Sequence, residues 1–386
     1  MTQNILTLND EVWERLLDAS GGAMNPCYQC GTCTATCPWG AVRKDPYQVR
    51  RMVRSAQLGL KWNTDDLWLC TTCKLCESRC PRGVRIIDAI RGLKILAFED
   101  RKTPSKLENV LWSVYEEGNS WGGKSADRGK WADELNVKDA SKGVKVLYYV
   151  GCSSSYDPRL QKISKAIVRT LNAACVDFGI LGKQEKCCGD VIYHIGEEGF
   201  LEELVQKNVE AFQKTGAETV VTLSPHCSNM FQNIYPRYGA KFEALHYTQF
   251  LERLWDEGKL KIEAPSGSKE NRVTYHDPCY LGRYNNIYES PRRIIEAVTG
   301  GKLEEMRSNH INALCCGGGG GRMWLETPPE ERFSNLRVKE AAEVEANVMA
   351  TSCPYCIQNF EDSAKTQGLR EMKVADVAEL VAAALH

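Results

Sequence analysis

Two runs of cysteine carry the clearest chemistry in this chain. Cys27, Cys30, Cys33 and Cys37 precede Pro38, and Cys70, Cys73, Cys76 and Cys80 precede Pro81, so C-x-x-C-x-x-C-x-x-x-C-P is spelled twice. Thiolates are soft ligands suited to iron and zinc. Three of them spaced by two residues turn their sulfurs onto three corners of one [4Fe–4S] cube, while the fourth points away and completes the other cube. The spacing therefore assigns Cys27, Cys30, Cys33 and Cys80 to one cubane, and Cys37, Cys70, Cys73 and Cys76 to a second. Zinc, the competing metal, uses two C-x-x-C pairs and has no need of a third close cysteine or a trailing C-P. Neither cubane keeps a free coordination site, so the pair conducts electrons. Lys74, Arg79, Arg82 and Arg85 lie among these cysteines. They raise reduction potentials, dock an acidic partner, or merely form a solvated face.

A second constellation lies near the C-terminal end: Cys279, then Cys315-Cys316-Gly317, then Cys353-Pro354-Tyr355-Cys356, five cysteines converging from three loops. HDPCYLGRYNNIYESPR, ALCCGGGGGRMW and TSCPYC resemble the CCG-domain proteins of the heterodisulfide reductase type. With the N-terminal cysteine runs, which are those of a two-cluster ferredoxin, the order resembles the fused C/B-type arrangement of that family. The likeness covers essentially the whole chain. It implies a noncubane [4Fe–4S] cluster on Cys279, Cys315, Cys316, Cys353 and Cys356, two smaller iron–sulfur units sharing an iron. Gly317 to Gly321 would let backbone approach the cluster closely and offer N–H groups to its sulfides, unless the run is a plain turn. A phosphate loop is disfavoured, because no clean strand precedes the run.

An earlier stretch repeats this pattern with one change. Cys152, Cys187, Cys188 and Cys227 match, but Ser224 stands where the first cysteine of C-P-x-C belongs. Four thiolates suit a further [4Fe–4S] cubane, the preferred reading. A noncubane completed by Ser224 or His226 and a zinc site are the alternatives. His226 also reads as a hydrogen-bonded neighbour. His276-Asp277 reads as a structural turn before a proton relay, and Cys175, outside every motif, as a buried small residue at a helix end.

These loops need elements to hold them. Residues 1–100 read as an all-helical ferredoxin domain, with DPYQVRRMVRSAQLGL as a helix between the two runs. Residues 101–143 show no steady period and read as a linker, though one whose tryptophans argue against free motion. From there β-rich runs alternate with amphipathic helices: KVLYYV, RLQKISKAIVRTLNAA, VDFGIL, FLEELVQKNVEAFQ, ETVVTL. Such alternation signals an α/β layer structure. Cys152 and Cys279 lie 127 residues apart, Cys187 and Cys315 128, and Cys227 and Cys356 129. Two tandem Rossmann-like CCG domains follow, at 144–262 and 272–386, divided by the polar segment EAPSGSKEN. The fold class expected is thus multidomain α+β.

Composition narrows the partners. The 386 residues carry 49 Lys+Arg against 50 Asp+Glu, a net charge of −1, which advertises neither a nucleic-acid surface nor a polybasic membrane anchor. No apolar stretch reaches the roughly 18 residues of a membrane span, and MTQNILTLND lacks the features of a signal peptide, so the chain reads as cytoplasmic. In a reducing compartment, 18 cysteines point to metal or redox chemistry. No flavin, nicotinamide or P-loop fingerprint is present, so electrons must reach and leave other chains. The expectation is an electron-relaying oxidoreductase subunit of a hetero-oligomer containing a flavin-bearing subunit and further redox subunits. Thiol–disulfide reduction at the noncubane cluster is the second reading, and a zinc-stapled scaffold the third.

Overall fold

In a computed structural model, residues 10–60, 62–264, 272–301 and 303–385 are described. The divide expected between the halves lies, from residue 265 to 271, outside them.

The N-terminal region is helical and hangs on the helix Ile86–Glu99, which buries Ile86, Ile87, Ala89, Ile90, Leu93 and Leu96. A helix apolar nearly all round must be enclosed on several sides. It packs against Asp10–Ser20 on one side and Asp190–Ile195 on another. Gly92 permits the first crossing, since a Cβ there would stand 3.0 Å from that of Ser20. The helix Val49–Gln57, expected between the cysteine runs, turns Val49, Met52, Val53 and Ala56 inward.

Residues 101–143, expected as a linker, carry the helix Ser105–Glu117, three short 3-10 turns and the strand β1 (Lys138–Asp139). Trp131 and Arg128 are buried there. This order comes from tertiary contacts, which leave no period in the local sequence.

Beyond lie two parallel sheets. The first contains β1, β2 (Val146–Tyr149), β3 (Phe178–Ile180), β4 (Thr219–Thr222) and β5 (Glu243–His246), in the order β1-β3-β2-β4-β5. The second contains β6 (Val273–Tyr275), β7 (Val348–Thr351) and β8 (Lys373–Asp376), in sequence order. All pairings are parallel, and β2, β4, β6 and β7 are buried throughout, as strands covered on both faces must be. The helix Pro158–Ala173 of the first half packs on Val377–Ala383 of the second, and Tyr247–Asp256 packs on Glu289–Thr299. This reciprocal docking merges the halves into a single core. No helix among the described residues is long and apolar enough to cross a membrane.

Candidate iron–sulfur centres

Cys27, Cys30, Cys33 and Cys80 line one small recess, although Cys80 comes from the distant run. Gly31, with φ 87°, turns the chain into the helix Thr32–Thr36 so that Cys30 and Cys33 reach the same hollow. Cys80 Sγ accepts from the Val84 N–H at 3.4 Å. Cys30 is exposed, and hydrogen bonds from Thr32 lower its pKa. The complementary set gathers deeper. Cys37 is pushed up by burial and then by the charges of Cys73 and Cys70, and Cys76 by burial and then by Cys73, Cys70 and Cys37. Cys80 thus lies with the thiols of the first run, and Cys37 beside those of the second.

The deeper set abuts the second sheet's cysteines. Cys73 and Cys315 are within hydrogen-bonding reach, and so are Cys279 with Cys315, Cys315 with Cys316, and Cys316 with Cys356 and Cys353 with Cys356. The N–H of Gly317 donates to Cys315 Sγ at 3.3 Å. The glycine run closes the seam: a Cβ on Gly319 would stand 2.3 Å from the Thr71 carbonyl oxygen, and one on Gly320 2.4 Å from that of Cys70. The glycines therefore serve contact with the ferredoxin loop, a role that their spacing alone does not disclose. Two cations attend the seam, Lys94 buried and Arg283 half-buried. Arg283 donates to the carbonyls of Cys73, Ile311 and Ala313, and its Nη2 is buried without a partner. The thiols of Cys73, Cys279 and Cys315 face it and, against burial, raise its pKa. Lys94 reaches the Gly320 carbonyl at 3.3 Å, and burial brings it down to about 8.

In the first half, Cys152, Cys187, Cys188 and Cys227 form a connected chain of thiols. The Gly189 N–H donates to Cys187 Sγ at 3.4 Å, the counterpart of Gly317 and Cys315. The attending cation is Arg128, from the segment expected as a linker, with Nη2 3.6 Å from Cys152 Sγ. It is tied to Glu185 at 2.6 Å, both side chains being buried, and Glu185 also accepts from the N–H groups of Val150 and Gly151. Ser224 is the N-cap of the helix Pro225–Asn229, its Oγ accepting from the His226 N–H at 3.3 Å. Cys353 holds the same place before Pro354–Thr366 and makes no side-chain cap.

His226 stands between the halves. Its Nδ1 lies 3.1 Å from Asp190, and its ring is within hydrogen-bonding reach of Cys353. Against its burial, Asp190 raises His226 to about 10, and Cys353, against its own burial, is brought down to about 5 by Cys356 and His226. The ring stacks on Tyr280 at 3.9 Å and leans on Tyr355, its own counterpart in the repeat, at 4.7 Å. Tyr280 in turn bonds His194 at 2.6 Å and Thr72 at 2.7 Å.

Two lesser expectations are resolved. Asp277 is held by Arg292 and accepts from the His310 N–H, which is structural pairing, and His276 accepts from Arg337. Cys175 is exposed, not buried, because a φ of 51° turns it outward after the helix Pro158–Ala173. Among the described residues, no three His, Cys, Asp or Glu side chains close around a single-ion position. Arg128, Glu185, Arg283 and Lys94 could not be singled out from sequence, since lone charges in ordinary segments carry no spacing signal.

Comparison with known proteins fits this geometry. A model described as a cysteine-rich domain matches residues 146–232 and 273–361, and one described as a 4Fe-4S dicluster domain matches residues 23–84. The chain is 36% identical to a probable iron-sulfur-binding oxidoreductase of Bacillus subtilis, over 82% of this chain and 46% of that protein. It is 30% identical to an EtfAB:quinone oxidoreductase of Syntrophomonas wolfei, over 98% of this chain and 60% of the relative. With one subunit of the dihydromethanophenazine:CoB–CoM heterodisulfide reductase of Methanosarcina barkeri it shares 28%, over 94% of each. The chain thus spans only about half of the first relative and three fifths of the second.

Proposed function

We propose, from the premise that this chain is a member of the CCG-domain iron–sulfur oxidoreductases, that it relays electrons between a flavoprotein and a further acceptor in a hetero-oligomeric complex. The observation that carries the reading is the contact of Cys73 with Cys315, which puts the ferredoxin thiols against those of the second cysteine-rich half. The ligand sets follow the thiol groups: Cys27, Cys30, Cys33 and Cys80 for one cubane, and Cys37, Cys70, Cys73 and Cys76 for the other. Cys279, Cys315, Cys316, Cys353 and Cys356 would hold a noncubane cluster. Cys152, Cys187, Cys188 and Cys227 would hold a further [4Fe–4S] cluster, zinc being the alternative. The domains run 1–100, 144–262 and 272–386, the last two Rossmann-like. When bound, such clusters supply one-electron storage.

The chain's own residues set the terms of that storage. Lys94 and Arg128, both buried, and half-buried Arg283 offset negative charge, and the N–H groups of Val84, Gly189 and Gly317 hold sulfurs in place. Packing of His226, Tyr280 and Tyr355 fills the space between the halves. That packing and Ser224 favour relay over disulfide cleavage between two matching centres. The test supplies the anaerobically purified chain with reduced viologen and a panel of organic disulfides. The expected result is cluster reduction without disulfide cleavage, and electron flow onward once a flavoprotein of the same complex is added. Rapid cleavage by the chain alone would establish thiol–disulfide reduction instead.

A further inference from the structure

The two N-terminal thiol groups differ in access. Cys70 and Cys73 are buried beneath the glycine run, whereas the recess of Cys27, Cys30, Cys33 and Cys80 opens at the surface. Cys30 is exposed, and Tyr28 beside it is 59% exposed, an unusual position for a large ring. An electron leaves or enters a protein where the carrier lies nearest the surface, which here is this recess.

The rim of the recess is basic. Arg50, Arg51 and Arg54 project from the helix Val49–Gln57 because its other face buries Val49, Met52, Val53 and Ala56; Arg50 lines the recess, and Arg51 and Arg54 line the adjoining hollow, which shares Cys27 and Tyr28 with it. Arg50 lies against Gly31, next to Cys30, with its Cδ 3.4 Å from where a Cβ on that glycine would stand. Arg82 lines the same recess from the loop after Cys80. Among the described residues, none of these four has a carboxylate within ion-pair distance. Several exposed arginines elsewhere do, Arg253 with Glu243, Arg272 with Glu345, and Arg293 with Glu252 and Asp256, while scattered ones such as Arg101, Arg169 and Arg370 stand alone among the described residues; what sets these four apart is that they lie together. The chain as a whole is close to neutral, at −1, so this is a local concentration of positive charge. Four uncompensated like charges repel one another, and their field attracts an acidic surface from beyond contact range.

We propose that this rim is the docking face for a redox protein whose own electron-carrying group lies at an acidic surface. The inference rests on the relay reading and adds the port and the charge of the partner. In the step it serves, the partner's carrier is oxidised by one electron and the cubane of the recess is reduced by one. No bond forms or breaks, and no proton has to move. A redox protein is favoured over an anionic membrane because the arginines stand beside an exposed thiol and an exposed aromatic side chain.

The test uses the full chain, prepared anaerobically, and reduced flavodoxin as an acidic one-electron probe, with cluster reduction followed by stopped-flow absorbance. The second-order rate should fall as salt is added. The Arg50→Glu/Arg54→Glu variant should react at least about tenfold more slowly at low salt, within the range that electrostatic steering supplies, and lose its salt dependence. Arg50→Gln/Arg54→Gln should fall between. Lys214→Glu, on a helix of the first cysteine-rich half, should match the parent chain. Iron content and the EPR spectrum of the reduced form establish that each variant is intact, and reduction by the cationic viologen radical should be no slower in the reversed variant. An intact reversed variant reduced by flavodoxin at the parent rate would overturn the docking face. So would one that loses only co-sedimentation with phosphatidylglycerol vesicles. If viologen reduces no cluster in the parent chain, the relay itself fails. If viologen reduces it while the flavodoxin rate ignores both salt and arginines, only the docking face fails.

Discussion

The two cysteine-rich halves place their cysteines at a spacing of 127 to 129 residues, yet each surrounds them differently. In the first, β1 and β3 extend the sheet, and the attending cation comes from outside the repeat: Arg128, neutralised by buried Glu185. In the second, the stretch near Met306 that matches β3 by spacing is not a strand, though the Glu304 N–H still bonds the Val273 carbonyl of β6. Its cation, Arg283, sits four residues after Cys279 and, among the described residues, faces thiols and carbonyls with no carboxylate partner. A positive charge that is not neutralised locally favours thiolate and added electrons more than a paired one does. Cys315 and Cys316 are lowered by hydrogen bonds from neighbouring thiols and Cys353, against its burial, by Cys356 and His226, while Cys279 and Cys356 are raised, as are Cys152, Cys187, Cys188 and Cys227 in the first half. Duplication kept the positions of the sulfurs. The charge around them diverged.

The sharpest way to separate the halves is Cys316→Ser. We predict the loss of one centre, about four irons per chain, with the ferredoxin pair intact because the ligand sets share no residue. Metal analysis and low-temperature EPR check it; an unchanged iron content would remove Cys316 from the ligand set. Ser224→Cys should then narrow the difference between halves, moving the first site's spectrum toward that of the second. Identical spectra for the two sites in the parent chain would show that they did not differ to begin with.

A smaller effect is expected at the bridge. His226→Phe keeps an aromatic ring on Tyr280 but removes the group within reach of Cys353. The second centre's potential should fall by a few tens of millivolts, where 59 mV is a tenfold change for one electron, because a donor favours the more negative state. Redox titration reads this, and His226→Gln should restore part of it. An unshifted potential would make the ring mere packing.

A separate effect concerns stability. Asp376, buried at the junction of the halves, accepts from Tyr247 while its Oδ2 has no partner, and burial raises its pKa to about 8. The folded protein thus holds a proton that the unfolded chain releases near pH 4. Stability should decline as pH rises from about 4 to about 8 and level off above, since the native state binds more protons in that window. Asp376→Asn should flatten this component in denaturant titrations run across that range. A parent chain whose stability in that window matches the variant's would mean the carboxyl is ionised in the fold.

Legibility in the sequence followed the kind of information each feature leaves there. The nearness of the three close thiols in each run was readable because that spacing acts within a single loop. The parallel α/β halves were readable from alternating β-rich and amphipathic runs. Arg128 was not, because a segment ordered by distant contacts shows no period, although its tryptophans hinted that it was not free. Neither was the nearness of Cys73 and Cys315, whose separation in the chain conceals it. Ser224 was visible as an exception, but its service as a helix cap required the backbone.

The glycine run has a mechanical consequence. Gly319 and Gly320 bring one backbone against the carbonyls of another, leaving no side-chain layer that can slide. The gap between the ferredoxin thiols and the second half is therefore of fixed width. Transfer across it needs no swing of one part toward the other, and its rate should be indifferent to solvent viscosity.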